Sequence, residues 1–224
     1  MDKRFIRNIP TLSEGEQLSL GEKRAVIVGC GGLGGHIAEL LVRAGVGKFT
    51  LADGDCFEES NLNRQLLSLP ENLGQSKAET AARRIEAINE RADVRWVSEF
   101  FSFENADNIL AGADIVMDAL DNIDARLLLE EKCAEMGLSL VHGAVEGWSM
   151  QCCVVEPGSG LLKRLYGGLA TGDGRKSVLS PIPAICAGIQ CAEAIKLLCG
   201  RESTLSGKLL CGDGQSMEFY TLDV

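Results

Sequence analysis

A chain of 224 residues with 46% hydrophobic content is long enough to fill one core without cross-links, so a single domain over 1–224 is expected. Its formal net charge of -10 repels a phosphate backbone over most of the surface and argues against general nucleic-acid binding. Nine cysteines, an odd number scattered through apolar runs (Cys152, Cys153, Cys186, Cys191, Cys199), point to buried thiols in a reducing cytoplasm and not to a disulfide framework.

The opening Met1-Asp2-Lys3-Arg4 leads into a polar arm, residues 1–23, with no apolar signal core. From Arg24 onward, short apolar runs alternate with amphipathic segments, which predicts an α/β fold: a Rossmann-like, doubly wound, mainly parallel sheet. Strands are expected at Ala25–Val28, Phe49–Ala52, Val94–Val97, Ile115–Ala119 and Leu138–His142. Helices are expected over Leu33–Ala44, Ser76–Asn89, Asn105–Leu110 and Asp124–Met136, and residues 24–143 form one subregion. Beyond it, Met150–Val155 reads as a strand, 157–180 is rich in glycine and charge, and Ile182–Leu198 is helical. Lys208–Cys211 and Met217–Leu222 flank the turn signal Gly212-Asp213-Gly214, giving a C-terminal antiparallel extension. The most apolar late stretch, Pro183–Cys199, is broken by Gln190, Glu193 and Lys196, so no membrane span is expected.

Val28-Gly29-Cys30-Gly31-Gly32-Leu33-Gly34 closes the first strand and opens the first crossover helix. Backbone amides and the helix dipole make an anion site there, with Gly29, Gly31, Gly32 and Gly34 as the contacts. Asp53 ends the next strand, where a carboxylate accepts from ribose hydroxyls. That much fits NAD, FAD, S-adenosylmethionine or ATP. Charge beyond the adenosine favours ATP with Mg2+, because a triphosphate needs cations and a metal. Asn61-Leu62-Asn63-Arg64-Gln65 sets the amides Asn61, Asn63 and Gln65 around Arg64, a contact for the β- and γ-phosphates. Ser76 and Glu79 read as a capping box that puts Lys77 in the first helical turn, against the dipole, where it asks for a compensating anion. Asp121, at the carboxyl end of the fourth strand, is the expected magnesium ligand; capping of the next helix is its other reading, and Asp118 shares either role.

The segments Gly29–Gly34, Ala44-Gly45-Val46-Gly47, Asp53-Gly54-Asp55, Ser60–Gln65, Gly74–Lys77 and Ala119-Leu120-Asp121-Asn122 together resemble the ThiF/MoeB/HesA family, relatives of the ubiquitin-activating enzymes, over nearly the whole chain. The resemblance implies ATP-dependent adenylation of the terminal glycine carboxylate of a small ubiquitin-like sulfur-carrier protein of ThiS or MoaD type, ending in Gly-Gly. It adds Asp55 and Asn122 to the nucleotide contacts and makes 144–224 the carrier-binding and C-terminal sheet subregion. Arg4-Phe5-Ile6-Arg7 is similar to the family's opening, which implies a homodimer in which Arg7 reaches the partner's ATP, with Arg7, Arg64, Lys77 and Asp121 as the catalytic set.

Two features depart from the family's pattern. The chain has no Cys-x-x-Cys pair, so no zinc ligands are expected, and 163–181 contains no cysteine, which leaves a covalent sulfur step without its usual nucleophile. Two competing readings are a nicotinamide-dependent oxidoreductase using the same glycine loop and a non-catalytic scaffold docking a ubiquitin-like protein. The first gives Arg64, Lys77 and Asp121 no task.

Overall fold

The computed structural model describes residues 2–169 and 177–224. After a 3-10 turn over Lys3–Asn8 and helix α1 (Glu14–Leu20), strands and helices alternate: β1 (Arg24–Val28), α2 (Gly34–Ala44), β2 (Lys48–Ala52), α3 (Lys77–Ile88), β3 (Asp93–Val97), α4 (Phe103–Leu110), β4 (Ile115–Asp118), α5 (Ile123–Met136) and β5 (Leu140–Glu146). Then come β6 (Ser149–Val155), α6 (Leu161–Tyr166), α7 (Pro181–Leu198), β7 (Lys208–Asp213) and β8 (Glu218–Asp223). All eight strands form one sheet in the order β3-β2-β1-β4-β5-β6-β7-β8. Pairing is parallel from β3 to β5 and antiparallel from β5 to β8.

Both faces of β1, β2 and β4 are covered, which is why these strands read as apolar runs, whereas the edge strand β3 is partly exposed. On β1, Ala25 and Ile27 pack with α2, α3 and α7, whereas Val26 and Val28 pack with α4 and α5. Helix α7 is long and apolar enough by composition to cross a membrane, yet half of it is buried, and it packs on α2, β5 and β6. Its Gln190 and Glu193 are buried polar groups that bond inside the fold.

Several expectations shift. The fifth strand starts two residues later than expected and continues to Glu146, because its pairing with β6 holds until Glu146 faces Ser149. The division at 143 falls within this strand, which pairs parallel on one edge and antiparallel on the other. Ser76 caps α3 by accepting the Glu79 N–H at 3.3 Å, but the Glu79 carboxylate turns to Arg83 at 2.7 Å, so the return half of the expected box is absent. Two helices escaped the sequence reading. α1 carries its own signal, a capping box between Ser13 and Glu16. α6 lies in the glycine- and charge-rich stretch, of which 170–176 fall outside the described residues, and its first N–H groups are capped by Glu130 of α5 at 2.7 and 2.9 Å. No local pattern announces a cap supplied from another helix.

Candidate functional site

Loops leaving the carboxyl ends of the parallel strands enclose a cavity of about 690 Å³, where ligands bind in doubly wound sheets. Gly29 follows β1 with φ of +95°, and a Cβ there would lie 2.5 Å from the Ala119 carbonyl oxygen. At the start of α2 the crowding is tighter still, since a Cβ on Gly34 would sit 1.8 Å from the Gly29 carbonyl oxygen. Gly29, Gly31 and Gly32 line the cavity. Gly34 does not; it lets the helix start tight against the loop, so its role is in the loop's shape.

Asp53 accepts two backbone N–H groups, from Cys30 at 2.7 Å and from Asp55 at 2.8 Å, and so ties the glycine loop to the loop after β2. Burial pushes its carboxyl up, against the opposing pull of those N–H donors and of Lys77. Burial also raises the Cys30 thiol, which makes it a poor nucleophile. Lys77 opens α3 as expected, but the anion that balances it is the chain's own: Nζ lies 2.9 Å from Asp55 Oδ2, and the lysine side chain is only 8% exposed.

Arg64 lines the cavity and donates to the Ser60 carbonyl and to Asn63 Oδ1, both at 2.9 Å. Beside the glycine loop Gln65 lines the cavity, and its buried Oε1 has no hydrogen-bond partner among the described residues. The two asparagines stand behind this wall. Asn61 is buried and accepts the Glu58 N–H at 3.1 Å, while exposed Asn63 donates to the Val178 carbonyl at 3.2 Å. Both shape the turn that carries Arg64 and neither lines the cavity.

Asp121 and Asn122 line the cavity across from these groups. Asn122 is the cap of α5, accepting the Ala125 N–H at 2.8 Å, so the capping reading belongs to it and not to Asp121. Among the described residues no three His, Cys, Asp or Glu side chains form a metal cluster. Asp121 is one of the carboxylates on the wall, and a single such donor suits magnesium when phosphates complete its shell. Arg7 is exposed and absent from the wall. Its turn is anchored at the opposite end of α2, where Asn8 donates to the Ala44 carbonyl at 3.1 Å. Eleven helical residues put about 16 Å between the two ends of α2.

Behind the far wall, where Arg126, Gln151 and Tyr166 line the cavity, stands Asp118 with three side chains the sequence did not single out, His142, Tyr166 and Gln151. Asp118 and His142 are register partners on β4 and β5, and both are fully buried. His142 Nδ1 lies 2.6 Å from Asp118 Oδ2, and its Nε2 lies 2.8 Å from the Tyr166 hydroxyl. Gln151 donates to the same hydroxyl, and Arg126 Nε stands 3.5 Å from Asp118 Oδ2. Asp118 is thus neither a cap nor a wall residue. Its place at the end of a strand was visible; the register that sets it opposite His142 was not.

The ThiF family's sequence profile matches residues 4–224. The chain belongs to the ThiF family. Among its ThiF relatives is the SAMP-activating enzyme E1 of Haloferax volcanii, 34% identical over 89% of this chain and 76% of that protein. Another, the sulfur carrier protein ThiS adenylyltransferase of Bacillus subtilis, is 38% identical over 83% of this chain and 57% of that one, so the chain spans little more than half its length. In structure, E. coli MccB crystallised with ATP superposes with a TM-score of 0.82 at 20% identity, covering all of this chain and 72% of MccB. That likeness reaches the shared fold of ThiF-type proteins.

Proposed function

We propose that this ThiF-family adenylyltransferase uses ATP to activate the terminal carboxylate of a small ubiquitin-like sulfur carrier ending in Gly-Gly. The observation that carries the reading is one continuous cavity. Its nucleotide end offers Gly31, Gly32, Asp53, Arg64 and Lys77, and its other end opens along β6, β7 and β8 through Ser149, Cys211, Asp213 and Tyr220. Names of the relatives, an activating enzyme and a carrier adenylyltransferase, support the same class of reaction.

In the proposed step a carboxylate oxygen of the carrier bonds to the α-phosphorus while the bond to the bridging oxygen of pyrophosphate breaks. The products are acyl-adenylate and pyrophosphate. A carboxylate is ionised at neutral pH, so no general base is needed and catalysis reduces to positioning and charge stabilisation. Asp53 suits the ribose, and Arg64 and Lys77 suit the phosphates. Cavity charge supports two further participants. The described wall carries three cations (Arg64, Lys77, Arg126) and five carboxylates (Asp53, Asp55, Asp121, Glu146, Asp213), so the described residues alone do not balance a triphosphate. Magnesium held at Asp121 would neutralise phosphate charge when bound. Arg7, remote from its own cavity, supplies a further cation if it belongs to a second copy in a homodimer. Six buried free thiols fit the reducing cytoplasm expected of such an enzyme.

The test is ATP–pyrophosphate exchange with small Gly-Gly-ending proteins added one at a time. We expect exchange that depends on one such carrier and stops when EDTA removes the metal. Arg64→Ala and Asp121→Ala should each lower it by at least about a hundredfold, the usual cost of losing a preorganised charge stabiliser. ATP binding without exchange for any carrier would leave a docking scaffold as the better account.

A further inference from the structure

Adenylation by the groups above leaves the hydrogen-bonded chain on the far wall without a task. Its proton positions follow from the partners. Burial pushes the His142 pKa down, and Arg126 already balances the Asp118 charge, so the imidazole is neutral and carries one N–H. The Asp118 carboxylate can only accept, which puts that proton on Nδ1 and leaves Nε2 as an acceptor. The Tyr166 hydroxyl must therefore donate to His142 Nε2. Burial also keeps this phenol protonated, its pKa pushed up to about 12. Gln151 then donates into the phenol oxygen, the polarity in which every bond in the chain has one proton.

One capacity is left over. A hydroxyl has a single proton and two acceptor sites; the proton is spent on His142 and one site on Gln151, so Tyr166, a residue of the cavity wall, has only an acceptor site left to offer a ligand. Arg126 lines the same wall, its guanidinium 5.6 Å from the Tyr166 ring centre and bonded to the Leu120 carbonyl. An acceptor beside a fixed cation is complementary to the end of a peptide, where a backbone N–H precedes a carboxylate. The nucleotide's phosphates, which only accept, have nothing to offer an acceptor-only hydroxyl.

We propose that the Tyr166 hydroxyl oxygen accepts the terminal backbone N–H of the carrier's tail, with His142 and Asp118 as positioning residues that hold its proton away from the cavity. This assignment rests on the adenylation reading and names a specificity contact for it. Proline, or any terminal residue without an N–H, would be rejected on this ground.

The experiment is pyrophosphate exchange by the full chain, with KM for carrier and for ATP measured separately. Tyr166→Phe should raise KM for the carrier about tenfold, the size of one neutral hydrogen bond, with kcat and KM for ATP within about twofold of wild type. A carrier whose terminal peptide N–H is replaced by an ester oxygen needs no mutation: with wild type it should lose a similar factor, and with Tyr166→Phe nothing further. In Asp118→Asn the side-chain amide can donate to Nδ1, which moves the imidazole proton to Nε2 and frees the phenol proton to point inward; the preference for amide over ester carrier should then vanish while KM for ATP stays. Additive losses from Tyr166→Phe and the ester, or a rise in KM for ATP in place of the carrier, would overturn the assignment of Tyr166 and leave adenylation standing. No exchange by wild type with any carrier would remove the adenylation reading and this assignment with it.

Discussion

Gly34 contributes nothing to the cavity wall, yet a Cβ there would lie 1.8 Å from the Gly29 carbonyl oxygen, closer than any relaxation of one side chain can relieve. Gly34→Ala should therefore displace the loop, cost about 1–3 kcal/mol of stability as overpacking does, and weaken ATP binding measured by calorimetry. Unchanged affinity would mean that the loop's shape is not what holds the phosphates. The same contrast between neighbours runs through the site: Arg64 reaches the cavity while Asn61 and Asn63 build the turn behind it. Residue types alone made all three look like ligands. Only the direction of each side chain, set by a tight turn, separates them.

Between elements, α1 is fastened to the end of α7 through Glu16, whose carboxylate receives Arg201 at 2.6 and 2.8 Å and completes the cap at Ser13. The Arg201 side chain and these cap donors lower the Glu16 carboxyl to about 2 from its usual 4.5. A carboxylate lowered in the folded state adds stability above its unfolded value and loses it as pH falls through the folded one. Glu16→Gln should accordingly melt below wild type at neutral pH, with the gap closing as pH drops from 4.5 toward 2 in thermal scans. A gap that persists across that range would assign the loss to packing and not to charge. The helices of eight residues or more were legible in advance as the segments between and after the strands. α1 and α6, of seven and six residues, were too short for a periodicity, and α6 depends on Glu130 from a different helix.

At the scale of the whole molecule, the described residues of one chain's cavity wall carry more carboxylates than cations, and Arg7 sits at the opposite end of α2 from the glycine loop. A closed symmetric dimer would resolve both facts by sending Arg7 into the partner's cavity. Mixing Arg7→Ala with Arg64→Ala, each inactive alone, should then recover activity. In a randomly reassorted dimer population, about one site in four has its own Arg64 and its partner's Arg7. No recovery after verified subunit exchange would place Arg7 outside the reaction.

What the sequence determined by itself was everything that local chemistry specifies. Gly29 to Gly34 announced a strand-to-helix turn because a left-handed φ and a blocked Cβ admit little else there, Ser76 announced the start of α3, and the unbroken apolar runs announced strands covered on both faces. Tertiary structure decided what depends on register and on contacts between distant segments. It paired Lys77 with Asp55, set Asp118 opposite His142 across two strands, and brought Tyr166 from a short helix to close that chain at the cavity wall. These partners lie about twenty residues or more apart, and nothing within a single helical turn or strand repeat links such positions until the sheet fixes their alignment.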